Sequence, residues 1–145
     1  MSIIILVKIW VIFMKVFLGG TMNDSTWRDE LISELKIDFF NPIVDVWDEK
    51  AQLNEIKEKE LCDFLLFVIT PLMTGVYSIA EVVDASNKTP KKTILCVLDN
   101  DDGKKWTDSQ RLSLNAVENL VHSNGAFVFK SLEDTSSFLN QHSED

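Results

Sequence analysis

Short apolar runs alternate with amphipathic or charged stretches along most of the chain, a rhythm that predicts strands feeding helices. Residues 15–18 read as a first strand, and Trp27, Leu31, Ile32 and Leu35 recur at helical spacing within a helix near residues 25–36. A short second strand over 38–40 ends at Asn41-Pro42, where proline breaks any continuation. The loop 43–49 carries Asp45, Trp47 and Asp48 over a surface the core does not obviously need. A strongly charged helix over 50–61 precedes the strand 64–69, whose unbroken apolarity predicts burial on both faces, as in parallel sheets. The loop 70–75 then enters a helix bearing Glu81, Val82 and Val83, which ends near Asn87 with Pro90 beyond it. A fourth strand spans 93–98, and Asp99-Asn-Asp-Asp-Gly103 turns the chain away. A helix over roughly 107–122, a strand over 126–129 and a terminal helix capped by Ser131 complete the pattern. Asp134 stands three residues after that cap, a relative of the capping box.

Five strands alternating with five helices predict one α/β domain over residues 14–145, a flavodoxin-like doubly wound parallel sheet of order 2-1-3-4-5. Right-handed crossovers place the turns after strands one and three side by side. The Gly19-Gly20 pair and Glu81 are therefore expected in one crevice, beyond the carboxyl ends of the strands.

Composition narrows the picture. A chain of 145 residues that is 46% hydrophobic can bury a core of ordinary domain size. Its formal charge of −9, from 14 basic and 23 acidic residues, disfavours a nucleic-acid partner, which requires clustered Lys and Arg. Cys62 and Cys96 fall beside or within apolar strands and read as buried thiols of a reducing cytoplasm. With only His122 and His142 available and no paired-cysteine motif, neither a zinc site nor a metal or other cofactor is expected. Residues 1–13 differ from the rest. Ile3-Ile-Ile-Leu-Val-Lys-Ile-Trp-Val-Ile-Phe13 is too short for a span of about 20 residues and lacks a signal-peptide pattern, so no stable membrane insertion is expected. It reads as an apolar extension that packs on a sheet edge, a partner subunit or a membrane interface, with Met14 a candidate start.

Candidate chemistry gathers at two turns. Lys15-Val-Phe-Leu-Gly-Gly-Thr21 runs from a strand into a glycine pair, which permits close backbone approach to a ligand. The helix start beyond it, with Ser25 and Arg28, can hold a phosphate or sugar hydroxyl. The plainer alternative is a tight turn with Ser25 as helix N-cap. Neither the third glycine of the dinucleotide fingerprint nor the Gly-Lys-Ser/Thr ending of a P-loop is present. Glu81, in the first turns of its helix, is either a solvated helix residue or a carboxylate kept ionised by the helix start.

Together Lys15-Val-Phe-Leu-Gly-Gly-Thr21, Trp27-Arg28, Phe40-Asn-Pro42, Lys59-Glu-Leu-Cys-Asp63, Ile69-Thr-Pro71 and Tyr77-Ser-Ile-Ala-Glu81 resemble the nucleoside 2-deoxyribosyltransferase superfamily. The likeness covers about residues 14–130 and is closest to its compact phage and bacterial branch. It implies that Glu81 is the nucleophile in cleavage or transfer of an N-glycosidic bond of a deoxynucleoside or nucleoside 5′-monophosphate. The family's second acid, 26 residues earlier, falls on Glu55, which is otherwise one of several acids on a solvated helix. Relatives that act on monophosphates use hydroxyls and an arginine near the first helix, a pattern that Thr21, Ser25 and Arg28 match. Two positions depart from the family. Thr74-Gly75 offers no carboxylate about six residues before the nucleophile, and Phe17 replaces an aromatic hydroxyl that Tyr77 or Ser78 can supply. Asn41 can hydrogen-bond base or sugar, or serve only the turn before Pro42. The resemblance also implies a homo-oligomer whose neighbouring subunit completes the pocket. The competing reading is a non-catalytic module, for example a phage factor that captures a nucleotide signal.

Overall fold

The computed structural model describes residues 14–142, so the apolar extension 1–13 lies outside the described residues. Five parallel strands form the sheet: β1 (Lys15–Gly20), β2 (Asp38–Phe40), β3 (Phe64–Ile69), β4 (Thr93–Val97) and β7 (Phe127–Phe129). Their order is β2-β1-β3-β4-β7, with every pairing parallel. This is the expected 2-1-3-4-5 arrangement, with β7 as its fifth strand. The helices are α1 (Trp27–Glu34), α2 (Glu49–Leu61), α3 (Tyr77–Lys88), α4 (Asp108–Ser123) and α5 (Leu132–Asn140).

Alternation along the strands divides the core in two, because successive side chains point to opposite faces. Val16, Leu18, Leu66, Val68 and Ile94 pack beneath Trp27 and Leu31 of α1 and Leu139 of α5. Phe17, Leu65, Phe67, Ile69 and Leu95 pack on the other face with Val82 of α3 and Leu114 and Val121 of α4. All six residues of β3 are buried, as its continuous apolarity requires of a central parallel strand.

Helix starts follow local chemistry. Asp48 accepts the Ala51 N–H at 2.8 Å to begin α2, Thr107 and Gln110 form a reciprocal capping box on α4, and Ser131 accepts the Asp134 N–H at 3.0 Å on α5. Ser25 lies one residue before the N-cap of α1, where its Oγ accepts the Trp27 N–H at 3.4 Å. Thr26 occupies the N-cap of α1 without a side-chain cap bond, while the Ser25 hydroxyl donates to Asp101 Oδ2 at 2.6 Å. Asp101 lies in a short hairpin where the sequence pattern predicts only a turn. Asn100–Asp101 (β5) pairs antiparallel with Lys104–Lys105 (β6) around Asp102-Gly103, both at positive φ. Asp-Gly is the strongest short hairpin signal, so this element was open to detection.

Candidate active site

The sheet order changes direction between β1 and β3, and their carboxyl ends open into a cleft of about 350 Å³. Small-molecule sites fall in this size range. Gly19, Gly20, Thr21, Arg28, Glu55, Tyr77, Ser78 and Glu81 all line it, from four separate elements and the turns between them. Met22, Asn23, Pro42, Trp47 and Met73 add a mainly apolar wall. Ser25 and Asn41 are not among the lining residues. Ser25 is committed to Asp101, and Asn41 Oδ1 accepts the Ile43 N–H at 3.2 Å, the turn role before the loop.

The two turns are clasped directly. The Thr21 N–H donates to the Val68 carbonyl and the Thr70 N–H donates to Thr21 Oγ1, both at 2.9 Å. Asn23 adds a third tie, its amide donating to the Leu72 carbonyl at 3.1 Å and lying 2.6 Å from Thr74 Oγ1. Gly20 has a φ of +117°, and a Cβ there would stand 2.0 Å from the Val68 carbonyl oxygen. Only glycine fits a position so close to the neighbouring backbone.

Arg28 is 3% exposed and serves this turn from beneath. Its Nε and Nη2 donate to the Leu18 carbonyl at 3.2 and 3.1 Å, and its Nη1 donates to the Thr21 carbonyl at 2.7 Å. Trp27 Nε1 donates to the same Thr21 oxygen at 2.7 Å. Desolvation pushes the guanidinium down to about 10, which leaves it charged at neutral pH. Most of its donors are consumed by backbone, so the cation acts on the cleft chiefly by fixing the shape of the glycine turn.

The carboxylates meet across α2 and α3. Lys59 Nζ donates to Glu81 Oε2 and lies 3.4 Å from Glu55 Oε1, four residues earlier on the same helix. The Glu81 side chain is 15% exposed and that of Glu55 20%, so neither carboxylate is an open surface acid. The Lys59 ammonium also stands 5.3 Å from the centre of the Phe17 ring. Burial lowers its hold on the proton, but hydrogen bonding to Glu81 and the charges of Glu81 and Glu55 outweigh this, and the net pKa is raised. Lys59 was missed as a site residue. Its spacing from Glu55 was visible in the sequence, whereas its reach to Glu81 depends on how α2 and α3 pack.

Tyr77 is 75% exposed on the rim, while Ser78 is half-buried at the start of α3. The N-cap position, Val76, supplies no side-chain bond to that helix start. Cys62 and Cys96 are buried free thiols. No group of three or more His, Cys, Asp or Glu side chains able to hold a metal ion occurs among the described residues. No described helix is long and apolar enough to cross a membrane.

A search of curated proteins finds no match to the chain. A family model described as "Nucleoside 2-deoxyribosyltransferase like" matches residues 14–100, the segment that contains both clasped turns, the glycine pair, Glu55, Lys59 and Glu81. By that match over more than half its length, the chain belongs to the nucleoside 2-deoxyribosyltransferase-like family.

Proposed function

We propose that the protein cleaves or transfers the N-glycosidic bond of a deoxynucleoside or nucleoside 5′-monophosphate, with Glu81 as nucleophile. The observation that carries this reading is the Glu81 carboxylate. It is largely withdrawn from water, paired with an ammonium, and lines the same cleft as the glycine turn. Attack of Glu81 on the anomeric carbon displaces the base through an oxocarbenium-like transition state and leaves a glycosyl ester on the enzyme. A second base or a water molecule then attacks the same carbon and restores the carboxylate. Glu55, which contacts the same ammonium, assists by holding a sugar hydroxyl or exchanging a proton with base or acceptor. Phe17, Met22, Met73 and Trp47 offer apolar surface to a nucleobase, and Gly19 and Gly20 let backbone approach the sugar. Ser78 and the helix start that carries it are the best-placed groups for a 5′-phosphate, given that Arg28 is turned toward carbonyls.

The same reading includes a homo-oligomer. Among the described residues, α2 contributes none to the buried set, and Ile43, Val44, Val46, Trp47, Leu53 and Ile56 are exposed on and before it. Trp47 belongs to both this apolar region and the cleft wall, so a second copy covering the region would narrow the cleft mouth. Light scattering of the protein should give a dimer or larger species, and Val46→Asp with Leu53→Asp should shift it toward monomer.

The deciding experiment incubates purified protein with a panel of deoxynucleosides and their 5′-monophosphates, with and without an acceptor base, and quantifies base by chromatography. Released or exchanged base is expected, falling about 10³-fold or more in Glu81→Ala. Release that persists undiminished in that variant would falsify the proposal. Stoichiometric binding of an intact nucleotide by calorimetry, with no product, would instead establish the capture module.

A further inference from the structure

The two carboxylates of the cleft face one ammonium. Contacts of Lys59 Nζ with Glu81 and, at 3.4 Å, with Glu55 place the acids within about 6 Å of each other, the range in which like charges disturb each other's ionisation. The surroundings supply little other compensation. From β1 the lysine meets the neutral Phe17 ring, and from α1 the charge of Arg28 interacts with that of Glu55. Lys92, ahead of β4, donates to the Lys59 carbonyl at 3.2 Å, on the backbone side. Lys15 is paired with Glu58. Lys59 itself is not among the residues that line the cleft, and so acts through the acids in front of it.

We propose that Lys59 is the positioning residue of this site, offsetting the charge of both Glu81 and Glu55 and aiming Glu81 by holding one of its two oxygens. This inference rests on the glycosidic reading given above. Its consequence is electrostatic. Two carboxylates and one ammonium carry a net charge of −1, which matches a sugar that becomes cationic in the transition state. Without the ammonium the two acids compete, and one of them retains a proton to higher pH. Glu81 forms its bond to the anomeric carbon as the base departs with the electron pair of the broken C–N bond. When the carboxylate becomes an ester, Lys59 is left facing Glu55 alone, so the ammonium always retains an anionic partner.

The test is the pH dependence of kcat for base release in wild type, Lys59→Met, Lys59→Arg and Glu55→Gln. In Lys59→Met the acid limb should move up by about one pH unit or more, so that kcat falls progressively further below wild type as pH drops, by up to about tenfold more on the acid side of both limbs than at pH 8.5, with KM little changed. Lys59→Arg, which retains the charge, should keep the acid limb near its wild-type position. Glu55→Gln should move the limb down, because the competing acid is gone, and this variant carries the test if Lys59→Met does not fold. A lysine of purely structural importance would lower the rate by the same factor at every pH. That result, or a limb unmoved in both Lys59→Met and Glu55→Gln while Glu81→Ala is inactive, overturns the role of Lys59 alone. A fully active Glu81→Ala, or a wild type without turnover, overturns the glycosidic reading and this inference with it.

Discussion

Substituting alanine at Gly20 tests the junction on which the cleft is built. Gly20 pairs with Val68 in the β1–β3 ladder, and its φ of +117° lies where an L side chain is strained. The added methyl would fall 2.0 Å from the Val68 carbonyl oxygen and 2.6 Å from the Val68 nitrogen. These are backbone atoms of a central buried strand, so no rotamer change relieves the overlap. Relief requires β1 to part from β3 at its end, which sacrifices the bonds from Thr21 N–H to Val68 and from Thr70 N–H to Thr21. Backbone strain of about 1–3 kcal/mol and two hydrogen bonds of about 1 kcal/mol each give a loss of about 3–5 kcal/mol. That is a large share of the roughly 5–15 kcal/mol available to a domain. It corresponds to a fall in Tm on the order of 10–20 °C for a chain of this size. Urea unfolding followed by tryptophan fluorescence, with Tm from circular dichroism, measures it. Two alanine variants calibrate the scale. At Gly19 the new Cβ meets the rings of Phe67 and Phe17 at 2.9 and 3.1 Å, where side chains can yield, for a cost of about 1–2 kcal/mol. At Gly75 it meets nothing within 4 Å, and the change should stay within about 0.5 kcal/mol. A Gly20→Ala protein as stable as wild type, or a Gly75→Ala protein as damaged as Gly20→Ala, would refute the reasoning.

Both cysteines should be inert in the native protein. Desolvation pushes Cys62 and Cys96 up to about 11, so at pH 8 only about one thiol in a thousand is ionised, and native protein should resist a disulfide reagent that titrates two thiols after denaturation. Rapid native reaction of either thiol would contradict that. The Lys59 pairs should also mark the alkaline stability profile. Because the folded pKa lies above the ordinary 10.5, their contribution is complete below that value and is lost as pH rises through the folded pKa. The urea-midpoint gap between wild type and Lys59→Met should therefore hold steady from pH 7 to about 10 and narrow above it, and a gap that closes near pH 8 would rule this account out.

Much of the fold was legible because the strands are uniformly apolar and the helices are separated by strong punctuation. The run 64–69 is buried at every position, and the chirality of crossovers then left one sensible neighbour for β1 on each side. Boundaries were less legible where tertiary contacts override local preference. β1 continues through both glycines to Gly20, against their weak strand preference, because each is paired with β3. Helix α1 starts at Trp27 and not at Ser25, since Trp27 and Arg28 are both drawn inward to the Thr21 carbonyl and the serine is drawn to Asp101.

The placement of the cleft was legible to the same depth as the topology. Adjacent turns after β1 and β3 bring the glycine pair and Glu81 into one cleft, and that much follows from strand order. What each polar group does within the cleft follows from partners distant in sequence. Thr21, Ser25 and Arg28 read in one dimension as a cradle for phosphate. Folded, the Thr21 hydroxyl accepts a bond from Thr70, Ser25 faces the hairpin, and Arg28 grips Leu18 and Thr21. Their shared effect is to make the glycine turn rigid. Under the proposed glycosidic reading that rigidity has catalytic value, because a backbone that lies against a sugar ring without moving lowers the cost of aligning the anomeric carbon with Glu81. The two cations near the cleft, Arg28 and Lys59, are both engaged by the protein's own oxygens. The cleft therefore presents fixed dipoles and two acidic side chains, an arrangement that suits the proposed reaction, in which a substrate neutral at the reacting carbon turns positive only as its bond breaks.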